Sequence, residues 1–195
     1  MLFTTPGTGA LRTGDGFSLG TRFTYSGAVT MLITDLGIED VSGETWDHSH
    51  EIGLWDLTAS NTQIADATVD NTGTLISGFR YVHLGVQVLL TPAHQYTLAA
   101  YYFPTASSSD HLLDRGAGTA IPPTADPSFT GFTAMFTGSN TAGSLSEPTG
   151  SAGDTAYVGP NFIFGPTPEP ATFTLAACGA LGLLLIRRVS KRRRT

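Results

Sequence analysis

Apolar and polar residues alternate in short runs along the first 164 residues, with Gly, Pro, Asn and Asp between the runs. A period of two is the pattern of a half-buried strand. It predicts strands at Thr21–Tyr25, Ala28–Thr34, His50–Thr58, Gln63–Val69, Gly78–Leu84, Val86–Leu90, Gln95–Phe103, Phe129–Phe136 and Ala156–Phe164. Within His50–Thr58, Ile52 and Leu54 share one face and Gly53 and Trp55 the other. Asn61 and the run Asp70-Asn71-Thr72-Gly73 mark turns, because these residues tolerate left-handed backbone and bond their own chain. Residues 1–15 read as an irregular lead-in, Asp35 to Asp47 as an acidic loop, and 105–128 as a long Ser/Gly/Ala/Pro loop.

No stretch before residue 165 sustains a helical period for ten residues. Many short strands joined by turns predict an all-β domain over 16–164, a jelly-roll-like β-sandwich. The pattern changes at residue 165. Gly165-Pro166-Thr167-Pro168-Glu169-Pro170 leads into an uncharged apolar run, Ala171 to Ile186, which is followed by a basic tail over 187–194. The run predicts one C-terminal hydrophobic helix, with Leu181, Leu183, Leu184 and Leu185 at its heart. Its sixteen residues rise about 24 Å as helix, against about 30 Å of bilayer hydrocarbon. Flanking side chains and local thinning close that gap. A buried core helix is the alternative, but six cations with no acid among them suit a membrane end better.

Charge separates the two regions. All sixteen acids lie at or before Glu169, while six of the ten Lys and Arg lie beyond it. Residues 1–170 thus carry four Arg against sixteen acids, a net −12, and the tail carries +6. So acidic a body, with no Lys, argues against nucleic-acid binding. Arg187, Arg188, Arg192 and Arg193 set topology instead: short basic segments stay cytoplasmic, which puts the body on the far side of the membrane. The one cysteine, Cys178, falls in the apolar run, so the body forms no disulfide. Met1 to Gly7 has neither the basic start nor the apolar core of a signal peptide. Export of the body therefore leads to the expectation of a true start upstream of Met1 or of a leader left out ahead of it.

The tail resembles the PEP-CTERM sorting signal of Gram-negative bacteria. The resemblance rests on Pro168-Glu169-Pro170, the apolar span and the basic cluster, in that order. It implies recognition of the tripeptide by an exosortase-type membrane peptidase, anchorage in the inner membrane before processing, then delivery to the cell surface or extracellular matrix. The body is similar to an uncharacterised β-sandwich domain recurrent in that family, through Gly16–Gly20, His50–Asp56, Gly78–Val82, Tyr96 and Gly159–Phe162. That similarity implies fold and setting and carries no catalytic residue.

Several groups of residues suggest chemistry in the body. Asp35, Glu39, Asp40 and Asp47 offer carboxylates that suit calcium, the one cofactor the sequence suggests; the plainer reading is a solvated acidic loop. His48 and His50, with Asp47 or Glu51, have spacing for a transition metal, although histidines at loop ends commonly ligate nothing. Trp46, Trp55 and Tyr81, with Tyr101 and Tyr102, could stack on sugars or fill the core. Gly16-Phe17-Ser18-Leu19-Gly20 matches the nucleophile-elbow spacing, but a strand-like segment follows where a helix is required. The leading expectation is an exported, non-catalytic surface or matrix protein that binds exopolysaccharide. The alternative is a secreted glycan hydrolase using carboxylates of the 35–51 region, such as Glu44, Asp47 and Glu51.

Overall fold

The computed structural model describes residues 1–6, 11–12, 16–40, 43, 45–46, 48–102, 112–113, 124–137, 144–152 and 157–166. Met1–Gly165 is one compact unit; of the second, Pro166–Thr195, only Pro166 is described. The described residues form strands and contain no helix. In chain order the strands are β1 Leu11–Arg12, β2 Phe17–Tyr25, β3 Met31–Glu39, β4 His50–Asp56, β5 Thr62–Val69, β6 Thr74–Ile76, β7 Phe79–Leu90, β8 His94–Tyr102, β9 Leu112–Leu113, β10 Phe129–Phe136, β11 Gly150–Ser151 and β12 Pro160–Pro166.

Two antiparallel sheets share one apolar core, as in a β-sandwich. One has six strands in the order β11-β10-β2-β8-β4-β5, the other four in the order β12-β3-β7-β6; β1 and β9 pair apart from both. Alternation decides which side of the six-stranded sheet faces in. Leu19, Phe23 and Tyr25 of β2 enter the core beside Tyr96, Leu98 and Ala100 of β8 and Ile52 and Leu54 of β4. Phe23 sits at the aromatic centre, its ring 5.6 to 6.4 Å from those of Tyr96, Phe129, Phe132 and Phe162. Each such pair adds about 0.5–1.5 kcal/mol beyond area burial.

Several expectations are corrected. Asp35 to Glu39 belongs to strand β3, not to a loop. A register shift between Ile33 and Asp35 lets Met31 and Ile33, then Leu36 and Ile38, enter the core. Gly78–Leu84 and Val86–Leu90 are one strand, β7, which bulges through the same irregularity and leaves Val86 exposed. The lead-in is more than irregular. Leu2 and Phe3 are fully buried. Asn161 of β12 clamps Phe3, its Oδ1 accepting from Phe3 N–H at 3.1 Å and its Nδ2 donating to Phe3 O at 2.9 Å, while Leu2 N–H donates to Phe162 O. Ser18 is the second residue of strand β2, which runs on unbroken to Tyr25, and it is fully buried with Oγ accepting from Ser146 N–H, so no nucleophile elbow forms.

Candidate ligand-binding surface

At one end of the sandwich Arg80 of β7 organises a polar cluster. Its Nε and one terminal nitrogen donate to Asp40 Oδ2 at 2.9 and 2.5 Å, and its other terminal nitrogen donates to the carbonyls of Asn71 and Gly73. The guanidinium lies 5.2 Å from the centre of the Trp46 ring. Asn71 in turn holds Trp46 by its backbone, accepting from the N–H and donating to the carbonyl. The loop between β5 and β6, which carries Asn71 and Gly73, crosses from one sheet to the other, so one cation ties both sheets at this end. The carboxylates expected to gather round calcium are spread out: Asp40 serves Arg80, Glu39 is fully buried, and Asp35 Oδ1 lies 3.2 Å from His83 Nδ1. Among the described residues no three His, Cys, Asp or Glu side chains converge on a metal position. Asp47 and Glu44 lie outside the described residues.

The aromatic residues expected to form a sugar platform are enclosed, Trp46 and Tyr81 in the core and Trp55 on the outer side of the six-stranded sheet. Trp46, Trp55 and Tyr81 are 4%, 5% and 2% exposed, and Tyr101 and Tyr102 are equally covered. Rings so enclosed present no face to a sugar. His50 also points inward, edge-on to Trp46 at 4.8 Å, while His48 is exposed, so the two do not face one position. Burial pushes the Tyr81 phenol well above its ordinary value, with Asp35 adding to the effect.

Two features escaped the sequence. The first is an Asp–His pair: Asp56 Oδ2 lies 2.8 Å from His94 Nδ1, while Asp56 Oδ1 accepts the N–H groups of Thr58 and Ala59. The pair ties the end of β4 to the start of β8. Among the described residues no hydroxyl bonds the other ring nitrogen. The second is the outer face of the six-stranded sheet at its β4–β5 edge. There Glu51, Gln63, Asp66, Thr68 and Leu145 line a groove of about 220 Å³. Glu51 stands opposite Thr68, and Asp66 opposite Gly53, so the two carboxylates are diagonal neighbours. Segment 144–149 forms one wall: Leu145 N–H donates to Glu51 Oε2 at 2.9 Å and Asn61 Nδ2 to Glu147 Oε2 at 2.6 Å. Spacing alone could have paired Glu51 with Asp66 only if the β4–β5 register, with its shift at Leu54 and Trp55, had been known.

No family model, curated protein or solved structure matches the chain. Pro168, Glu169 and Pro170, the apolar run 171–186 and the basic tail 187–194 lie outside the described residues.

Proposed function

We propose that the chain is an exported, non-catalytic cell-surface or matrix protein, sorted by its C-terminal segment, with a body that binds polysaccharide. The observation that carries this reading is the order of parts in the tail: Pro168-Glu169-Pro170, an uncharged apolar run, then six cations. Proline on both sides of Glu169 disfavours helix and presents the tripeptide in extended form, as a peptidase needs. The run beyond it forms the membrane helix. The resemblance to PEP-CTERM signals supplies the processing partner, an exosortase-type membrane peptidase, and the route from inner membrane to surface.

The body is a jelly-roll variant in this reading. β2 pairs with β8 and β3 with β7, as the first two strands of a wrapped hairpin pair with its last two. The ligand surface is the β4–β5 groove, whose carboxylates, amide and hydroxyl can accept from and donate to sugar hydroxyls while Leu145 supplies an apolar wall. A glycan array probed with the full chain tests binding. Binding that Glu51→Gln and Asp66→Asn together abolish supports the groove; equal binding by wild type and double variant overturns it.

A second reading, glycan hydrolysis, is favoured by one observation. Diagonal cross-strand positions set Cα atoms about 7–8 Å apart, within side-chain reach of the about 6.5–9.5 Å between carboxyls at which inverting glycosidases seat a water. Glu51 and Asp66 occupy such positions. Turnover of any polysaccharide by the full chain, lost in Glu51→Gln, would replace the first reading with this one.

A further inference from the structure

The outer face of the six-stranded sheet carries an unpaired cation. Cross-strand register sets Thr133, Arg22, Thr97, Trp55 and Gln63 in one row over β10, β2, β8, β4 and β5. Arg22 and Thr97 stand directly opposite each other, on the side away from the core residues Phe23 and Leu98. Arg22 is half-buried, and its Nε is enclosed with no hydrogen-bond partner. Thr97 is fully buried, and its Oγ1 likewise has no partner. Two enclosed donors side by side, neither satisfied, are uncommon, because each such group costs about 1–3 kcal/mol. The isolation of Arg22 is the more telling for the surrounding charge. Residues 1–170 hold sixteen acids and four Arg, yet no carboxylate meets this one among the described residues, whereas Arg80 has Asp40.

We propose that Arg22 and Thr97 form a carboxylate-binding site on this face, and that the carboxylate is that of a uronic acid in a polysaccharide. The identity of the polymer rests on the polysaccharide reading above; the site itself does not. The guanidinium is a planar fork that fits a carboxylate edge with two parallel hydrogen bonds. One fork with no second described cation beside it balances one negative charge and leaves a dianionic phosphate half neutralised. The strongly acidic body disfavours densely charged polymers in the same way, so the site selects isolated carboxylates on an otherwise neutral chain. In the proposed site an incoming oxygen accepts from both Nε–H and Thr97 Oγ1–H once the half-buried Arg22 side chain shifts to admit it. Strands lie about 4.8 Å apart, so Arg22 stands about 14 Å from the Gln63 side of the groove. One glycan chain of a few residues spans both.

The test uses the full chain in mild detergent, titrated with a mixed oligosaccharide carrying one glucuronate, with its methyl ester, and with the neutral parent. The readouts are calorimetric affinity and the Nε–H proton resonance of Arg22. The expected result is tighter binding of the acid than of the ester by about tenfold or more, a shift of the Arg22 resonance with the acid alone, and loss of that preference in Arg22→Gln and Arg22→Lys. Lys keeps the charge and loses the fork. Thr97→Val should weaken acid binding while leaving the unfolding midpoint unchanged or higher, since it removes an unsatisfied hydroxyl. Equal binding of acid, ester and neutral parent, with a still Arg22 resonance, would overturn the carboxylate site and leave polysaccharide binding standing. A free carboxylate, tested as acetate, that shifts the Arg22 resonance when no oligosaccharide binds would keep the site and sink the polysaccharide. No response to any probe would overturn the site and assign the two donors to a bridging water.

Discussion

Removing Arg80 should unfasten one end of the sandwich. In Arg80→Leu the Asp40 carboxylate, whose side chain is 1% exposed, loses its only described counter-charge, and the Asn71 and Gly73 carbonyls lose their donor. A buried ion stripped of its partner costs about 3–5 kcal/mol. Set against a total of about 5–15 kcal/mol for a domain, that is enough to lower the unfolding midpoint sharply. Asp40→Ala should cost less. Arg80 then keeps two carbonyls and the Trp46 ring, and its own side chain is 11% exposed, so water reaches part of it. Arg80→Leu combined with Asp40→Ala should cost less than the two single losses added together, because removing both charges leaves neither ion buried without its partner. The coupling in the double-mutant cycle should therefore exceed about 1 kcal/mol. Urea unfolding of the full chain, followed by tryptophan fluorescence, measures all three, with Trp46 as a local reporter. A loss below about 1 kcal/mol for Arg80→Leu, or additive single costs, would refute the view that this pair is a buried clasp.

Close backbone approaches give a second test. An added Cβ at Gly20 would strike Leu98 O and Ala99 Cα on the neighbouring strand, whereas at Gly53 it would meet the Trp55 ring and Leu145. Overpacking of this kind costs about 1–3 kcal/mol, so both Ala variants should lower the unfolding midpoint in urea, Gly20→Ala more because backbone cannot step aside. Alkali should destabilise the body. Burial raises the Tyr81 and Tyr96 phenols above their ordinary value of 10, so the folded state holds both protons more tightly. Stability is then complete below pH 10 and lost as pH climbs through the raised values; Tyr81→Phe should move the alkaline midpoint, read by circular dichroism, upward. Hydrogen bonds from Thr72 hold the Asp70 carboxyl below its ordinary value of 3.8. Its contribution is present above that value and fades as pH falls below it, and Thr72→Val should bring the Asp70 titration, followed by NMR, back up.

Strands were legible wherever one face is buried without interruption. Phe129–Phe136 coincides with β10, and β4 and β8 differ from expectation by a residue or two. The first half of β3 was legible as Ala28–Thr34, but its continuation over Asp35–Glu39 was hidden because the register shift at Thr34 breaks the period of two just where Asp35 and Glu39 add charge. β6 was invisible for another reason: Thr74, Leu75 and Ile76 are all exposed, so no alternation marks them. The candidate surface was least legible. Arg22 and Thr97 become neighbours only when β2 pairs with β8, and Glu51 meets Asp66 only through the shifted β4–β5 register. Aromatic content, by contrast, was visible and misleading, since Trp46, Trp55 and Tyr81 are enclosed. Their type said large and apolar; only the fold says which side.

The sorting claim is tested most directly by the intact mass of the exported protein from a host that bears an exosortase. The account predicts a mature chain that lacks the residues beyond the Pro168-Glu169-Pro170 region, and a Glu169→Ala variant that stays at full length in the inner membrane. A mature wild-type chain still ending at Thr195 would contradict it.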